Sequence, residues 1–341
     1  MKVLVTRPVF DEELGVLSAS GHDVVRLDCA GADAAARLRR ELADHPDARA
    51  LLTQLTDRVD AEVLTALPRL AVVANIAAGY DNIDVAAADE AGVVVTNTPG
   101  VLVEATADLA IALMLAVARR VVEGDAMMRE GAFRGWELLQ HPMGVDVSGR
   151  RLGIVGMGQI GTAVAKRAHY GFGMEVVYSS SGRKAAPELD VPALRVDLDE
   201  LFETSDVVSL HCPLTPDTRH LVDEARLRKM KPSAILVNTA RGPLVDEEAL
   251  ARALSEKWIW GAGLDVFEHE PAVAPALLAV RERTVLTPHV GSATDAVRRA
   301  MTARAAANVR AVLDGAVAVD PVGTHSRPSG VRGQADEVVS R

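Results

Sequence analysis

Four short stretches of this 341-residue chain carry residues able to do chemistry. The first is Gly156-Met157-Gly158-Gln159-Ile160-Gly161, three glycines spaced G-x-G-x-x-G, with the apolar run Leu152-Gly153-Ile154-Val155 before it and a helix-like run, 162–167, after it. Strand, glycine turn and helix, in that order, are what a dinucleotide-binding turn requires. Gly156 permits the tight turn, Gly158 lets backbone approach a pyrophosphate, and Gly161 lets the helix pack closely on the strand. The helix start then offers N–H groups and a positive dipole end to the phosphates. The other three stretches each follow an apolar run that reads as a strand. They are Asn238-Thr239-Ala240-Arg241-Gly242, then Leu264-Asp265-Val266-Phe267-Glu268-His269-Glu270-Pro271, then Thr287-Pro288-His289-Val290-Gly291-Ser292. Ligands of open α/β sheets bind beyond the carboxyl ends of strands, so three successive strand ends deliver an arginine, a carboxylate and a histidine to one place.

That set suits reduction of a carbonyl beside a carboxylate. A guanidinium offers a carboxylate a two-pronged fork and can reach the neighbouring carbonyl oxygen. An imidazolium can pass that oxygen a proton as hydride arrives, while an adjacent carboxylate stabilises the protonated ring and fixes its orientation. Nicotinamide is the hydride source such a site needs. Singly, each residue has an ordinary role: a loop histidine, a surface arginine, an aspartate capping the turn beneath the sheet. The residues alone leave both Glu268 and Glu270 as partners for the imidazole.

The elements that position them alternate strand and helix. Strands are expected at 2–6, 24–27, 50–53, 70–75 and 92–96, with helices at 11–19, 34–43 and 60–67, which gives a parallel α/β unit with right-handed crossovers and no glycine fingerprint. The cluster Asn97-Thr98-Pro99-Gly100 marks a domain boundary. A long apolar helix, 103–120, follows, and residues 131–149 read as a loop carrying Trp136 and His141-Pro142. Beyond the glycine turn, strands are expected at 175–178, 207–211, 234–238, 263–266 and 285–287, with helices at 198–203, 224–229 and 247–255 between them. A last long helix, 292–313, crosses back to the first unit. The expected fold is α/β with two Rossmann-like parallel-sheet domains: 1–98 with 292–321 as the discontinuous substrate domain, 99–291 as the dinucleotide-binding domain, and 322–341 as a disordered tail.

Composition narrows the field. A formal charge of −10 argues against nucleic acid or an anionic membrane as partner. Two cysteines, Cys29 and Cys212, make no disulfide framework and no metal-ligand spacing, so no metal is expected and a reducing cytoplasm is the expected location. The start of the chain reads as a strand rather than a leader, and no uncharged apolar run reaches the length of a membrane span.

Taken together, the glycine turn, 238–246, 261–267 and 287–293 match, in order and spacing, the signatures of the D-isomer-specific 2-hydroxyacid dehydrogenases, and the chain resembles that family over residues 1 to 321. The resemblance implies that Arg241 binds substrate, His289 donates the proton and Glu270 supports it. It implies cofactor contacts from Gly156, Gly158, Gln159, Ile160, Gly161, Ser179, Ser180, Arg183, Thr106, Pro213, Thr239 and Asp265. Within the family, 51–60, 105–110 and the loop through His141-Pro142 look most like glyoxylate/hydroxypyruvate reductases. By that likeness Leu55, Ala78, Gly79 and Ser292 join Arg241 at the substrate, with the Ala77-Ala78 pair departing from the Gly-Val or Gly-Ala usual there. The likeness also implies a homodimer through the helix from Val103, with Trp136 lent to the neighbouring subunit.

NAD users of this fold carry an acid at the end of the second nucleotide strand, where it binds the ribose hydroxyls. Here the strand runs into Tyr178-Ser179-Ser180-Ser181-Gly182-Arg183-Lys184, with no acid. An acid repels a 2′-phosphate, whereas hydroxyls with Arg183 and Lys184 can bind one, so NADP(H) is expected ahead of NAD(H). The functional expectation is a reductase of glyoxylate or hydroxypyruvate. The rivals are a dehydrogenase of another acid, 3-phosphoglycerate or phosphite, and a corepressor-like protein that senses the dinucleotide.

Overall fold

Short runs of Val, Leu, Ile and Ala buried on both faces characterise a parallel sheet covered by helices on either side, and nearly every strand of this chain has that composition. A computed structural model describes residues 1–29, 34–181 and 190–323. In chain order the strands are β1 (Lys2–Val5), β2 (Asp23–Arg26), β3 (Ala50–Thr53), β4 (Val72–Asn75), β5 (Val94–Thr96), β6 (Arg151–Val155), β7 (Glu175–Ser179), β8 (Ala193–Arg195), β9 (Val207–Leu210), β10 (Ile235–Asn238), β11 (Gly261–Leu264), β12 (Thr284–Leu286) and β13 (Pro321–Val322). They form two sheets in two units, one made of Met1–Val101 with the chain from residue 294 onward, the other of Leu102–Ala293.

The first unit orders its strands β13-β5-β4-β3-β1-β2, parallel except for the short antiparallel β13–β5 pair. Alternation along the strands separates two cores. Val3, Val5, Ala50 and Leu52 pack with Leu14, Leu17 and with Ala305, Ala306, Val309 and Leu313 of the helix Asp295–Leu313. Leu4, Leu51, Val73 and Val95 face the other way, onto Leu38, Leu42, Val63 and Leu64. One face of the N-terminal sheet is thus covered by the last helix, so this unit requires both ends of the chain.

The second unit orders its strands β12-β11-β10-β9-β6-β7-β8, all parallel. From β6 the chain moves outward through β7 and β8, then returns to β9 on the other side of β6. Strand order reverses there, which opens the crevice where such sheets bind ligands. One face of the sheet packs on the helices Val103–Ala118 and Gln159–Phe172, the other on Leu198–Thr204 and Glu247–Ser255. Among the described residues no helix is long and apolar enough to cross a membrane, and no group of three or more His, Cys, Asp or Glu is placed to hold a metal.

The structure departs from the sequence expectation in several places. Helices at Val85–Glu90, Val121–Arg129 and Pro275–Ala279 and the strand β8 have no counterpart in it. The first is signalled by Asp84, whose side chain accepts the Ala87 N–H at 3.0 Å as an N-cap. β11 covers 261–264 rather than 263–266, because its two glycines, poor strand formers in isolation, are where the long helix presses on the sheet. A Cβ on Gly261 would lie 2.7 Å from Val117 Cγ1, and one on Gly263 2.9 Å from Leu113 Cβ. Strand pairing also continues through Val322, opposite Val95, into the stretch expected to be tail. The rest of that stretch, 324–341, lies outside the described residues.

Asp320 secures the return of the chain to β5. Its carboxylate accepts Arg304 Nε and Nη2 at 2.6 and 2.8 Å and Asn308 Nδ2 at 3.0 Å. Its carbonyl accepts the Asn97 N–H. Burial pushes this carboxyl up, but Arg304 and Asn308 outweigh it and the net shift is downward. A depressed folded pKa contributes stability in full above the unfolded value of about 3.9, and that contribution is lost as pH falls through the folded value. The Tm difference between wild type and Asp320→Ala should therefore hold steady from neutral pH to about pH 5 and shrink below about pH 4. A difference that grows on acidification contradicts this.

Candidate active site

The second unit builds the turn after β6 from glycines. The chain leaves β6 at Gly156, whose φ of +96° favours glycine, and a Cβ there would lie 2.6 Å from the Cys212 nitrogen just past β9. At Gly161 a Cβ would lie 2.4 Å from the Gly156 carbonyl oxygen, so helix and turn are in backbone contact. Gly158 differs. It precedes the helix Gln159–Phe172, and a Cβ there would meet nothing within 4 Å, so the missing side chain leaves open space at the helix start. The N–H groups of Gln159, Ile160 and Gly161 belong to the first turn, where no intrahelical acceptor exists. Past β10, the buried Thr239 hydroxyl has no hydrogen-bond partner among the described residues. Open space, aligned donors and an orphan hydroxyl at a strand-order reversal fit a dinucleotide.

Other expected cofactor residues are held by hydrogen bonds within the same unit. The Ser179 carbonyl accepts the Gly156 N–H at 2.9 Å, and the Ser180 carbonyl accepts Arg195 Nη2 at 2.8 Å. The Pro213 carbonyl accepts the Thr218 hydroxyl, and the Thr106 hydroxyl donates to the Gly291 carbonyl at 3.2 Å. Arg183 lies outside the described residues, as does Lys184.

The catalytic candidates are positioned by short-range backbone bonds at successive strand ends. Asn238 closes β10 and shapes the next turn, its Nδ2 donating to the Arg241 carbonyl at 2.8 Å and its Oδ1 accepting the Ala240 N–H at 3.0 Å. Gly242 then runs against the backbone of Phe267 and Glu268, where a Cβ would overlap it at 1.9 Å. That approach brings the Arg241 charge to bear on Glu270.

Asp265, one residue past β11 and 1% exposed, organises the turn after β12. Its Oδ1 accepts the Thr287 hydroxyl at 2.6 Å and the Val290 N–H at 2.8 Å, its Oδ2 the Gly291 N–H at 2.8 Å, and its carbonyl the His289 N–H at 2.9 Å. Asp265, expected at the cofactor, thus accepts three hydrogen bonds from this turn through its carboxylate. The turn holds His289 at φ +54°, a left-handed conformation that is unfavourable outside glycine. His289 Nδ1 then lies 2.8 Å from Glu270 Oε2, while Glu270 Oε1 accepts the Phe267 N–H at 3.0 Å. Burial raises the Glu270 carboxyl, but the hydrogen bond and charge of His289, the Phe267 N–H and the Arg241 charge together hold it below the usual carboxylate range. Glu270 therefore stays ionised at neutral pH and accepts from Nδ1, which leaves Nε2 for chemistry.

The structure separates the two glutamates that the residues alone could not. Glu268 accepts from His220 Nε2 at 2.6 Å and Arg219 Nη2 at 3.0 Å, away from His289. His211, just past β9, does not compete either, since desolvation pushes it down to about 4 and keeps it neutral. Desolvation likewise pushes the Cys212 thiol up to about 11, which leaves it without thiolate character at neutral pH.

In the first unit the expected substrate residues lie beyond the carboxyl ends of β3 and β4. Leu55 sits in a turn whose Gln54 N–H goes to Asp57 Oδ2 at 2.9 Å. That buried aspartate also accepts the Thr6 hydroxyl and Arg7 Nε. The segment 77–79 turns its carbonyls inward. Ala77 O accepts the Thr98 N–H, Ala78 O accepts Asn97 Nδ2 at 2.7 Å, and Gly79 O accepts Asn75 Nδ2 at 2.9 Å. Among the described residues the N–H groups of Ala77, Ala78 and Gly79 have no acceptor. Backbone N–H groups left without acceptors are donors an anion can take. The sequence points to this loop but not to the asparagines that turn it, nor to Asp57, nor to the bracing role of Asp265.

Comparison with known proteins accords with this geometry. The family model for the NAD binding domain of D-isomer specific 2-hydroxyacid dehydrogenases matches residues 111–291, over half of the chain. This chain belongs to that family and is a nicotinamide-dinucleotide-dependent oxidoreductase. A glyoxylate reductase of Thermococcus litoralis is 50% identical over 271 residues, 79% of this chain and 81% of its own length. The crystal structure of a protein from Thermus thermophilus superposes with a TM-score of 0.86 at 45% identity, over 95% of this chain and 100% of that one. An NADPH-dependent glyoxylate/hydroxypyruvate reductase from Sinorhizobium meliloti does so with a TM-score of 0.80 at 33% identity, over 94% and 97%.

The two glutamates give a discriminating test. Glu270→Gln removes the charge that orients and stabilises the imidazolium and should lower kcat by about 100-fold or more. Glu268→Gln, which acts on the separate His220 pair, should keep kcat within about tenfold of wild type. Steady-state kinetics of the two variants checks this, and equal losses would contradict the assignment.

Proposed function

We propose that this enzyme reduces a small 2-oxo acid, glyoxylate or hydroxypyruvate, to the D-2-hydroxy acid, with NADPH preferred over NADH. The observation that carries the reading is the 2.8 Å contact between His289 Nδ1 and Glu270 Oε2, on a turn adjoining the one that bears Arg241. The names of the relatives give the substrate class, and the NADPH-dependent relative supports the cofactor.

When bound, the nicotinamide supplies a hydride to the carbonyl carbon. Arg241 binds the substrate carboxylate with its planar fork and polarises the carbonyl oxygen. The protonated His289 ring keeps its Nδ1–H on Glu270 and gives the Nε2 proton to that oxygen as negative charge develops there. Glu270 then holds the neutral ring in the tautomer that can be reprotonated at Nε2. The open N–H groups of Ala77, Ala78 and Gly79 are donors of the kind a carboxylate takes, which supports reading the first unit as the substrate domain, with Leu55 among its substrate residues. Ser292, just beyond the His289 turn, lines the substrate side of the second.

Cofactor preference rests on Ser179, which stands where an acid would bind a ribose diol and repel a phosphate. The assembly proposed is a homodimer. The long helix Val103–Ala118 is largely accounted for by its own core, through Ala107, Ala110, Leu113, Met114 and Val117. The segment after it leaves Val121, Val122, Met128, Trp136, Leu138 and Leu139 exposed, with Trp136 at 77%. An apolar surface of this kind fits a second copy.

Three measurements test the reading. With a panel of glyoxylate, hydroxypyruvate, 3-phosphohydroxypyruvate and, in the oxidising direction, phosphite, turnover should be fastest with the first two, and turnover of phosphite alone would overturn it. Arg241→Ala should lower kcat/KM by about 100-fold or more, the scale of a lost charge-assisted contact, and near-normal kcat/KM would remove Arg241 from the site. Ser179→Asp should move the NADPH/NADH ratio of kcat/KM toward NADH, and an unchanged ratio counts against Ser179.

A further inference from the structure

β8 is a three-residue edge strand that pairs with β7 in parallel, placing Arg195 opposite Tyr178. The ladder continues one step further, with the Val196 N–H on the Tyr178 carbonyl at 3.0 Å. Arg195 therefore stands at a carboxyl strand end, level with the end of β7. The end of the second strand of a dinucleotide-binding sheet is where the adenosine ribose is read. The arginine is exposed there, and one of its nitrogens is fixed. Its Nη2 donates to the Ser180 carbonyl at 2.8 Å, which draws the guanidinium across the end of β7.

Two features of this exposed arginine bear on what it can bind. It makes no ion pair with a described residue, so its charge is available to an anion. Of the acids on flanking segments, Asp190 is paired with Lys166 at 2.5 Å. The Ser180 bond also occupies only one of the five guanidinium N–H groups, leaving a planar fork of the kind that binds phosphate by two parallel bonds. A donor carried on a strand is better preorganised than one on a loop.

We infer that Arg195 is a cofactor-specificity residue, binding the 2′-phosphate of NADPH at the end of β8 beside Ser179 and Ser180. This rests on the NADPH preference proposed above and assigns it to a side chain outside the glycine turn and outside the loop after β7. The contact is made only to the phosphate, so the residue is neutral toward NADH.

Equilibrium binding tests it without turnover. Titrate wild type, Arg195→Ala and Arg195→Lys with NADPH and NADH by cofactor fluorescence, and with 2′,5′-ADP and ADP by calorimetry. Wild type should bind NADPH more tightly than NADH. Arg195→Ala should raise the Kd for NADPH and 2′,5′-ADP by about 10- to 100-fold, the range of a hydrogen bond to a charged group. It should leave NADH and ADP unchanged, and Arg195→Lys should recover part of the loss. If wild type prefers NADPH and Arg195→Ala leaves the preference intact, or weakens all four ligands together, the assignment to Arg195 fails while the NADPH reading stands. If wild type binds NADPH and NADH equally, the NADPH reading fails and this inference with it.

Discussion

A single buried carboxylate fixes the geometry on which the rest of the second unit's chemistry depends. Asp265 gathers the Thr287 hydroxyl and two backbone N–H groups onto its side chain, and its carbonyl takes a third from His289. A polar group so far from water is tolerated only because its lone pairs are met by donors. The return is a backbone turn that holds a non-glycine residue at positive φ and aims its ring at Glu270. Strain of this sort survives where the surroundings over-determine it, and here the bonds to Asp265 do so.

The sheet converts that local arrangement into a site. β10, β11 and β12 are adjacent and parallel, so the residues just past their ends fall side by side although the sequence separates Arg241 from His289 by two helices. The bare backbone of Gly242 lets the first of these turns touch the second. On the other side of β9, the strand order reverses at β6, and the glycine turn opens toward the same edge of the sheet. His289, Arg241 and the glycine turn share one edge because parallel topology sends every strand's carboxyl end the same way.

Much of this is legible in the sequence, for a physical reason. The glycine turn, Arg241 and His289 are each read against an adjacent strand, so local pattern alone places them. What escapes is set by tertiary contact. Asp265 reads as a turn cap until the Thr287–Gly291 backbone is seen to converge on it. Glu268 and Glu270 differ in sequence only by position, and only the fold shows that one meets His220 and the other His289. Gly261 and Gly263 weaken a strand in isolation and are required by the long helix lying on it. β8 is too short for any periodicity, and Arg195 is hidden with it. Asn75 and Asn97 give no signal because their role is to turn the carbonyls of other residues.

The central claim is that His289, held by Glu270, delivers the proton. It is tested most directly by comparing wild type and His289→Asn for both catalysis and cofactor affinity. Loss of kcat by about 1,000-fold or more with the Kd for NADPH unchanged is what proton transfer by this ring predicts. A variant that retains kcat within about tenfold of wild type would show that the proton comes from elsewhere.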